Sequence, residues 1–362
     1  MQSLLSLMRS SRVVRQPLSY AATILLHTAL VVIIIGACVT HFFGVQGEIH
    51  LRADKAETLS VANKPVSLFL WDFQVLNDAE GNPVDFVSDL RLLDRSKGAQ
   101  SADHQMTIDE GTVRMNKPLK YRGYRFCQSD YDSDQMGVTL SYNYDPWGIG
   151  ITYTGYALLL LGMITFFFQK NTYFRALWNK MIAAFPVYGR VGAGLFAVLV
   201  IVLAFVMTKV VTPKPPLQPV LQTPLLGIHV SVIMLSYTLF AVVMINGILG
   251  LCVARWRETL MNLSQLLLYP AVFCLTTGIF IGAVWANLSW GRYWGWDPKE
   301  TWALITMLVY AAMIHWPVIL KARGRKPASQ VAYHIISIIA FVFVLFTYFG
   351  VNHLLGGLHS YA

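Results

Sequence analysis

Long apolar runs constrain this chain more than any other feature of its sequence. Seven runs are long enough and poor enough in charge to cross a bilayer as helices, near 20–43, 150–168, 191–211, 225–253, 265–288, 301–320 and 331–350. A stretch of about 18 or more such residues is typical of a transmembrane helix. The composition agrees, because 55% of the residues are hydrophobic and only 13% are charged. The first run is too long for a cleavable signal peptide, and no small-residue cleavage pattern follows it.

Basic residues predict the orientation of these helices. They recur on alternate sides of the apolar runs, for example at Arg9, Arg12 and Arg15 before the first run and at 321–326 between the sixth and the seventh. Cytoplasmic loops of membrane proteins are rich in lysine and arginine. We therefore expect a cytoplasmic N-terminus and a C-terminus on the opposite face. This distribution also explains the net charge of +9, so no nucleic-acid partner is expected.

The segment 45–147 differs from the rest of the chain. It is polar, and 16 of the 19 Asp and Glu residues fall between Glu48 and Asp145. Apolar and polar residues alternate in 66–73 and again in 137–142, and turn signals separate these stretches. Short alternating strands between turns predict a small β domain, which the charge pattern places outside the cytoplasm.

The predicted fold is a mainly α, polytopic membrane helical bundle of about seven transmembrane helices with a small extracytoplasmic β domain. The proline-rich stretch 212–219 cannot be helical and predicts an extended external linker. The predicted divisions are the cytoplasmic N-terminus with the first transmembrane helix (1–44), the β domain (45–147), two transmembrane helices with the linker (148–224) and a four-helix region (225–362).

A tryptophan-rich segment is the most specific feature of the sequence. Residues 290–302 have the sequence WGRYWGWDPKETW, with four tryptophans and one tyrosine. Part of this pattern predicts a helix start, because Asp297 is a good N-cap, Pro298 suits the first helical position and Glu300 completes a capping box. Anchoring at the membrane surface accounts for one or two tryptophans but not for four. Several indole rings together suit a large flat apolar ligand, and a porphyrin is the obvious candidate.

Four histidines are candidate axial ligands of heme iron. His27 in the first run and His315 in the sixth are predicted at similar depth near the cytoplasmic face, since their helices run in opposite directions at about 1.5 Å per residue. His229 begins the fourth run and His359 lies in the C-terminal tail, both on the external side beside the tryptophan segment. Ionisable residues inside membranes are usually functional, and neutral imidazole is a standard ligand of heme.

Other interpretations of the histidines stay open. A lone histidine at a helix end is more often a hydrogen-bonded residue at the interface than a ligand. His27 and His41 lie fourteen residues apart on one helix, which suits a b-type membrane cytochrome, although no second helix supplies a matching pair. The rival candidates are His41, His334 and His353.

The tryptophan segment closely resembles the signature of the System II cytochrome c synthases, CcsA or ResC, including its continuation ALIT at 303–306. The tail GVNHLLGGLHSY at 350–361 resembles the C-terminus of that family. The front of the chain resembles the partner family CcsB or ResB, in 27–47, in PLKYRGYRF at 118–126 and in DPWG at 145–148. The whole resembles a fused form of the two partners with a shortened N-terminal part, because fused members usually have further N-terminal helices and a larger external domain.

The resemblance implies a holocytochrome c synthase in the bacterial cytoplasmic membrane, with the tryptophan segment on the extracytoplasmic side. Such a protein exports heme b and attaches it to the CxxCH motif of apocytochrome c. Its partners would be heme and apocytochrome c. It stays open whether a further CcsB- or ResB-like subunit and a thiol-reductant system are also needed. Two alternative functions also stay open, a heme-delivery subunit without synthase activity and a b-type membrane cytochrome.

The resemblance also assigns roles to single residues. His27 and His315 would ligate heme within the membrane, and His229 and His359 would ligate it at the external site. As a further hypothesis, Lys299 or Arg292 pairs with the heme propionates. The residues implied in catalysis are His229, His359 and Asp297, and the tryptophans implied in heme binding are Trp290, Trp294, Trp296 and Trp302.

Overall fold

The computed structural model describes most of the chain. The described residues are 20–53, 55–61, 64–93, 107–170, 172–184, 218–322 and 329–355, together with 198, 201–202 and 205–206. Within them, one helix precedes a group of eight strands, and the rest of the described chain is helical.

The eight strands form a β-sandwich. They are β1 (Val45–Arg52), β2 (Glu57–Val61), β3 (Lys64–Asn77), β4 (Pro83–Leu93), β5 (Thr107–Arg114), β6 (Leu119–Tyr121), β7 (Tyr124–Tyr131) and β8 (Gly137–Tyr144). Two antiparallel four-stranded sheets have the orders β1-β8-β7-β6 and β2-β3-β4-β5. Stacked sheets bury the inward-facing residues of both, and here Leu51 and Leu140 of one sheet share a core with Leu68 and Leu90 of the other.

The strand pair β1–β8 leads directly into a pair of helices. Its ladder runs from Val45 opposite Tyr144 to Arg52 opposite Gly137. Helix α1 (Ala21–Phe43) precedes β1, and helix α2 (Gly148–Phe168) follows β8. Because the two strands are antiparallel neighbours, α1 and α2 leave the sandwich side by side and run antiparallel.

Glycines form the contact line between α1 and α2, which we call the glycine seam. A Cβ atom on any of three α2 glycines would collide with α1, and the three glycines are spaced seven residues apart. This spacing keeps a contact line on one side of a helix. Lipid provides no hydrophobic force between helices, so close approach at small residues drives their association. The pairs are Gly148 with Thr40, Gly155 with Ile33 and Gly162 with Leu26.

The remaining helices surround a second apolar core. Buried residues of α4, α5, α6 and α7 belong to one cluster, in which Phe240 of α4 stacks on Tyr310 of α6 with 3.6 Å between ring centroids. A π-helical turn interrupts the last helix, and such turns occur often at functional sites. The elements are α3 (Tyr173–Ala184), α4 (Pro224–Cys252), α5 (Arg257–Ser289), α6 (Pro298–Ala322), α7 (Gln330–Leu345), the π turn (Phe346–Gly350) and α8 (Val351–Leu354), with 3₁₀ turns at Pro219–Leu221 and Ala254–Trp256.

Five stretches of the described chain are long and apolar enough to cross a membrane, namely Ala21–Phe43, Gly148–Ala183, Pro224–Cys252, Ala254–Ser289 and Gln330–Leu354. The predicted run 301–320 forms most of α6, which is not one of these five, and the predicted run 191–211 lies mostly outside the described residues. The chain is therefore a mainly helical membrane protein. The number of seven spans and the extracytoplasmic position of the β-sandwich stay predictions.

The glycine seam makes a prediction about stability. A Cβ atom on Gly155 would lie 2.5 Å from Ile33 Cγ1, whereas one on Gly150 of the same helix would have no neighbour within 4 Å. We expect Gly155→Leu to lower the free energy of unfolding by about 1–3 kcal/mol, because overpacking forces backbones apart. Gly150→Leu is the matched control, with little expected change. Thermal unfolding of the purified full chain measures the stability of both variants. Equal transition temperatures would contradict a close approach of α1 and α2 at Gly155.

Candidate functional site

The structure brings together two histidines from distant parts of the chain. His27 lies in α1 and His315 in α6, with ring centroids 6.2 Å apart and ring planes at 88°. An iron ion bound about 2 Å from one nitrogen of each ring would hold the centroids roughly 6 Å apart. The observed separation is compatible with two axial ligands of one heme, and ligation itself stays a prediction.

Hydrogen bonds to the two rings determine which nitrogen is available to a metal. Nδ1 of His27 lies 2.7 Å from the carbonyl oxygen of Thr23, and Nδ1 of His315 lies 2.7 Å from that of Ala311. A carbonyl oxygen can only accept, so each Nδ1 carries the proton and donates it. In the neutral ring the lone pair is then on Nε2, and a ligating histidine is commonly oriented by such a bond from its other nitrogen.

His229, in the second turn of α4, has the same arrangement. Its Nδ1 lies 2.7 Å from the carbonyl oxygen of Gly278 in α5, so its Nε2 also carries the lone pair. Gly282, one turn further along α5, makes room for the ring, because a Cβ there would lie 2.6 Å from His229 Cε1. Our sequence reasoning missed Gly282, since no local pattern indicates which residue of one helix faces a histidine of another.

A small cavity of about 90 Å³ lies beside His229. Sites for small molecules and cofactors combine apolar walls with a few polar groups. Here α4, α5, α6, the tryptophan segment and the π turn supply the walls. Besides His229, the lining includes Tyr293, Trp294, Lys299 and Glu300. The chemistry of this lining suits a flat apolar ligand with charged substituents, and a macrocycle bound here would extend beyond the small cavity.

The predicted helix start within the tryptophan segment is confirmed. The backbone N–H of Lys299 donates to Asp297 Oδ1 at 2.9 Å, and those of Gly295 and Asp297 donate to Glu300 Oε2 at 2.8 and 3.2 Å. These bonds satisfy N–H groups that a helix start leaves without partners. The carboxylate of Asp297 therefore has a structural role here, and the catalytic role predicted for it is untested.

The four tryptophans of the segment lie in different surroundings. Trp294 lines the cavity. Trp290 packs edge-on against Trp285 at 4.8 Å between centroids, and Trp302 packs on Phe346 of the π turn at 4.2 Å. Trp296 is 70% exposed and lies 5.8 Å from Trp294, with a backbone φ of 55°. The structure thus brings Trp294 and Trp296 together beside the cavity, while Trp290 and Trp302 lie in packing contacts, and the joint platform stays a prediction.

The other candidate residues are distributed as follows. Lys299 Nζ donates to Asn352 Oδ1 at 2.8 Å, and Arg292 lies against Gly295, where a Cβ would be 3.1 Å from its Nε. His359 lies outside the described residues.

The rival candidate His334 is fully buried, and its Nε2 lies 3.0 Å from the carbonyl oxygen of Arg257. Because that nitrogen carries the proton, His334 has the opposite tautomer from the three histidines above.

The β-sandwich contacts the tryptophan segment through the end of α5. The last carbonyl groups of a helix lack partners within it. Arg125 Nη1 donates to the carbonyl oxygen of Asn287 at 3.4 Å, and the Cys127 thiol donates to that of Leu288 at 4.0 Å. Asn143 Nδ2 donates to the carbonyl oxygen of Gly291 at 2.6 Å. Side chains of β7 and β8 therefore hold the point at which α5 becomes the tryptophan segment.

A second contact lies beside the first. The Ser289 hydroxyl donates to Asn116 Oδ1 at 2.6 Å, and Asn116 Nδ2 donates to the carbonyl oxygen of Val220 at 3.2 Å. Met115 packs into the apolar cluster that contains Trp285. Our sequence reasoning missed these contacts, because they join residues more than a hundred positions apart.

Comparison with known families bears on both parts of the chain. The profile of a family described as cytochrome C assembly protein matches residues 155–359, which is more than half of the chain. The chain belongs to the cytochrome c assembly protein family. Its front part, residues 15–145, matches the ResB-like family. A CcsA-like part and a ResB-like part are therefore joined in one chain, as the sequence resemblance predicted.

Curated relatives agree with this assignment. The cytochrome c biogenesis proteins CcsA of Chlamydomonas reinhardtii and Guillardia theta are both 39% identical, over 43% and 40% of this chain and 46% and 56% of their own length. Protein NrfI of Wolinella succinogenes is 38% identical over 40% of this chain and 17% of its own length. The chain thus spans about half the length of the two CcsA proteins that it matches.

The buried thiol at the junction between the two parts should be unreactive. Burial raises the pKa of Cys127 to about 12, against a smaller opposing effect of Arg125. The thiolate is the reactive form, and at pH 8 this shift leaves on the order of 10³-fold less of it than in an exposed cysteine. We expect maleimide to label Cys127 far more slowly than a cysteine in Met136→Cys, a position that is 53% exposed. Peptide mass spectrometry locates the label, and similar rates at both positions would contradict a closed junction.

Proposed function

We propose that this chain receives heme b between His27 and His315, holds it at the cavity beside His229 and attaches it to the CxxCH motif of an apocytochrome c. The observation that carries the proposal is the pairing of His27 with His315 at 6.2 Å. His27 belongs to the ResB-like part and His315 to the cytochrome c assembly part. The proposed inner heme site therefore needs both parts of the chain.

The chemistry of the pair supports heme as its ligand. Both rings donate from Nδ1 to a carbonyl of their own helix, four residues earlier. Each ring is thereby held with the lone pair of Nε2 available, as an axial ligand requires. The surroundings are apolar, since Leu26 and Ile314, the neighbours of the two histidines in sequence, pack into one aromatic and aliphatic cluster. A large apolar macrocycle with a central metal suits such a place.

The cavity supports a second heme site. His229 offers one axial ligand, and we assign the other to His359 on the basis of the sequence resemblance. Trp294 provides an aromatic wall, on which a porphyrin face would stack. Lys299 lines the same cavity, and its ammonium group, or the guanidinium of Arg292, would pair with a propionate.

The proposed reaction needs no oxidant or reductant to balance it. Each of two cysteine thiols of the CxxCH segment adds across one heme vinyl group, so that sulfur bonds to one vinyl carbon and the thiol hydrogen passes to the other. The chain contributes by holding vinyl groups and thiols in reactive positions, which accelerates reactions through proximity. The histidine of CxxCH would displace His229 or His359 from the iron, which releases the product.

Four histidine substitutions test the proposed function. We expect His27→Ala and His315→Ala to lose most of the heme that copurifies with the chain, because each removes one axial ligand. His229→Ala and His359→Ala should retain inner-site heme but abolish maturation of a CxxCH reporter. Absorption spectra of the purified protein and heme staining of the reporter measure the two outcomes.

His50→Ala is the matched control for these substitutions. His50 is an exposed imidazole of the β-sandwich that pairs with Asp132, and its loss should change neither readout. Heme content that is unaffected by both His27→Ala and His315→Ala would rule out the inner site.

Gly282 provides a separate test of the site beside His229. We expect Gly282→Ala to lower reporter maturation on the order of tenfold, because the added Cβ displaces the His229 ring from its bond to Gly278. Gly227→Ala is the control, since a Cβ at Gly227 of α4 would have no neighbour within 4 Å. Equal maturation by the two variants would show that His229 need not occupy its observed position.

A further inference from the structure

Four hydroxyl and carboxyl groups form a continuous hydrogen-bonded chain between the two parts of the protein. Thr152 Oγ1 lies 3.2 Å from the Tyr293 hydroxyl, which lies 2.8 Å from Thr40 Oγ1, and Thr40 Oγ1 lies 2.6 Å from Asp145 Oδ2. Thr40 belongs to α1, Thr152 to α2 and Tyr293 to the tryptophan segment. Asp145 lies just after β8. We call these four residues the hydroxyl chain.

The carboxylate at one end determines the direction of every bond in the hydroxyl chain. A carboxylate can only accept, so Thr40 must donate its hydrogen to Asp145. Thr40 is then left with lone pairs and accepts from Tyr293. The phenol hydrogen of Tyr293 is thereby used, and its oxygen accepts in turn from Thr152. Water competes little with these bonds, because Asp145, Thr152 and Tyr293 are all more than 90% buried.

The other carboxylate oxygen of Asp145 anchors the hydroxyl chain to the backbone of α2. Asp145 Oδ1 accepts from the N–H of Gly148 at 2.7 Å, at the first turn of α2. A carboxylate is favoured at a helix N-terminus by the helix dipole and by the N–H groups that lack partners there. Both oxygens of Asp145 are thus bonded, and the carboxylate cannot turn without losing one of its two contacts.

The hydroxyl chain reaches the candidate site through Tyr293, which lies between Thr152 and Thr40. The ring of Tyr293 lines the cavity next to Trp294. Its hydroxyl group is bonded to Thr40 of α1 and Thr152 of α2, and Thr40 is held by Asp145, so the position of the ring depends on two residues of the ResB-like part. The ring lines the site with a fixed orientation, since its hydroxyl group donates to Thr40 and accepts from Thr152.

We propose that Thr40 and Asp145 are positioning residues for the cavity, and that they act through Tyr293 on the heme bound beside His229. The inference rests on the proposed function and deepens it by giving the ResB-like part a direct role in the external site. Neither Thr40 nor Asp145 is among the residues that line the cavity. Their effect is to hold the aromatic wall formed by Tyr293 in its observed position.

The test uses the full chain purified in detergent and titrated with hemin. All variants are made in a parent protein that carries His27→Ala and His315→Ala. These two substitutions remove the proposed inner ligands, so that added hemin reports on the external site. We expect Thr40→Val and Tyr293→Phe each to weaken hemin binding about tenfold, the order of one lost hydrogen bond. The double variant should be no weaker than either single variant, because both break the same chain.

Matched variants separate positioning from general stability. Thr40→Ser keeps the hydroxyl and should restore parental affinity. Thr154→Val removes an exposed hydroxyl of α2 that bonds to Gly150 of its own helix, and should have no effect. Asp145→Asn keeps an oxygen that can accept from the N–H of Gly148 but places a donor at one end of the hydroxyl chain, so that its bonds can reverse, and it should weaken binding as Thr40→Val does.

The possible outcomes are distinguishable. A parent that fails to bind hemin would overturn the external heme site and, with it, the proposed function. If the parent binds hemin, and Thr40→Val and Tyr293→Phe bind it with the same affinity as the parent, only the role of the hydroxyl chain is overturned. A loss of thermal stability that is the same in Thr40→Val and Thr40→Ser, without the difference in affinity, would assign Thr40 to folding and also overturn it.

Discussion

The carbonyl groups at the end of α5 have no partners within their own helix, and the β-sandwich supplies the donors. Arg125, Cys127 and Asn143 reach across to Asn287, Leu288 and Gly291. A cation such as Arg125 is also favoured at a helix C-terminus by the dipole. These bonds span the last turn of α5 and the start of the tryptophan segment, so the course of that segment depends on a contact between the two family parts. The cavity wall formed by Tyr293 and Trp294 follows from that contact.

Three histidines share one hydrogen-bonding arrangement although they lie on three helices. His27, His229 and His315 each donate from Nδ1 to a backbone carbonyl, which leaves Nε2 with its lone pair. Two of the acceptors belong to the histidine's own helix and one belongs to a neighbour. The arrangement costs the protein little, because a helix carbonyl accepts a second bond readily. It also distinguishes these residues from His334, whose Nε2 carries the proton and donates it to the carbonyl oxygen of Arg257.

Local sequence patterns predicted the features that depend on neighbouring residues. The capping box at Asp297 and Glu300 follows from spacing within one helical turn, and the common depth of His27 and His315 follows from helix length and charge. The patterns did not predict Gly282, Tyr293 or the bonds from the β-sandwich, because these depend on register between distant elements. Tryptophan density suggested a platform of rings for a flat ligand, which stays a prediction, and the structure adds that Trp290 and Trp302 pack against Trp285 and Phe346. Composition alone does not distinguish a ring that binds a ligand from one that packs.

The spacing of the glycine seam has a geometric consequence. A contact line that repeats every seven residues matches itself again after an axial shift of seven, about 10 Å. The seam therefore sets how closely α1 and α2 approach, and one further contact, of Gly36 in α1 with Thr152 in α2, distinguishes one axial offset from the next. The β1–β8 ladder and the bond from Thr40 to Asp145 determine the same offset at the end near the β-sandwich. An insertion of one residue between β8 and α2 would rotate α2 by about 100° and turn its three glycines away from α1.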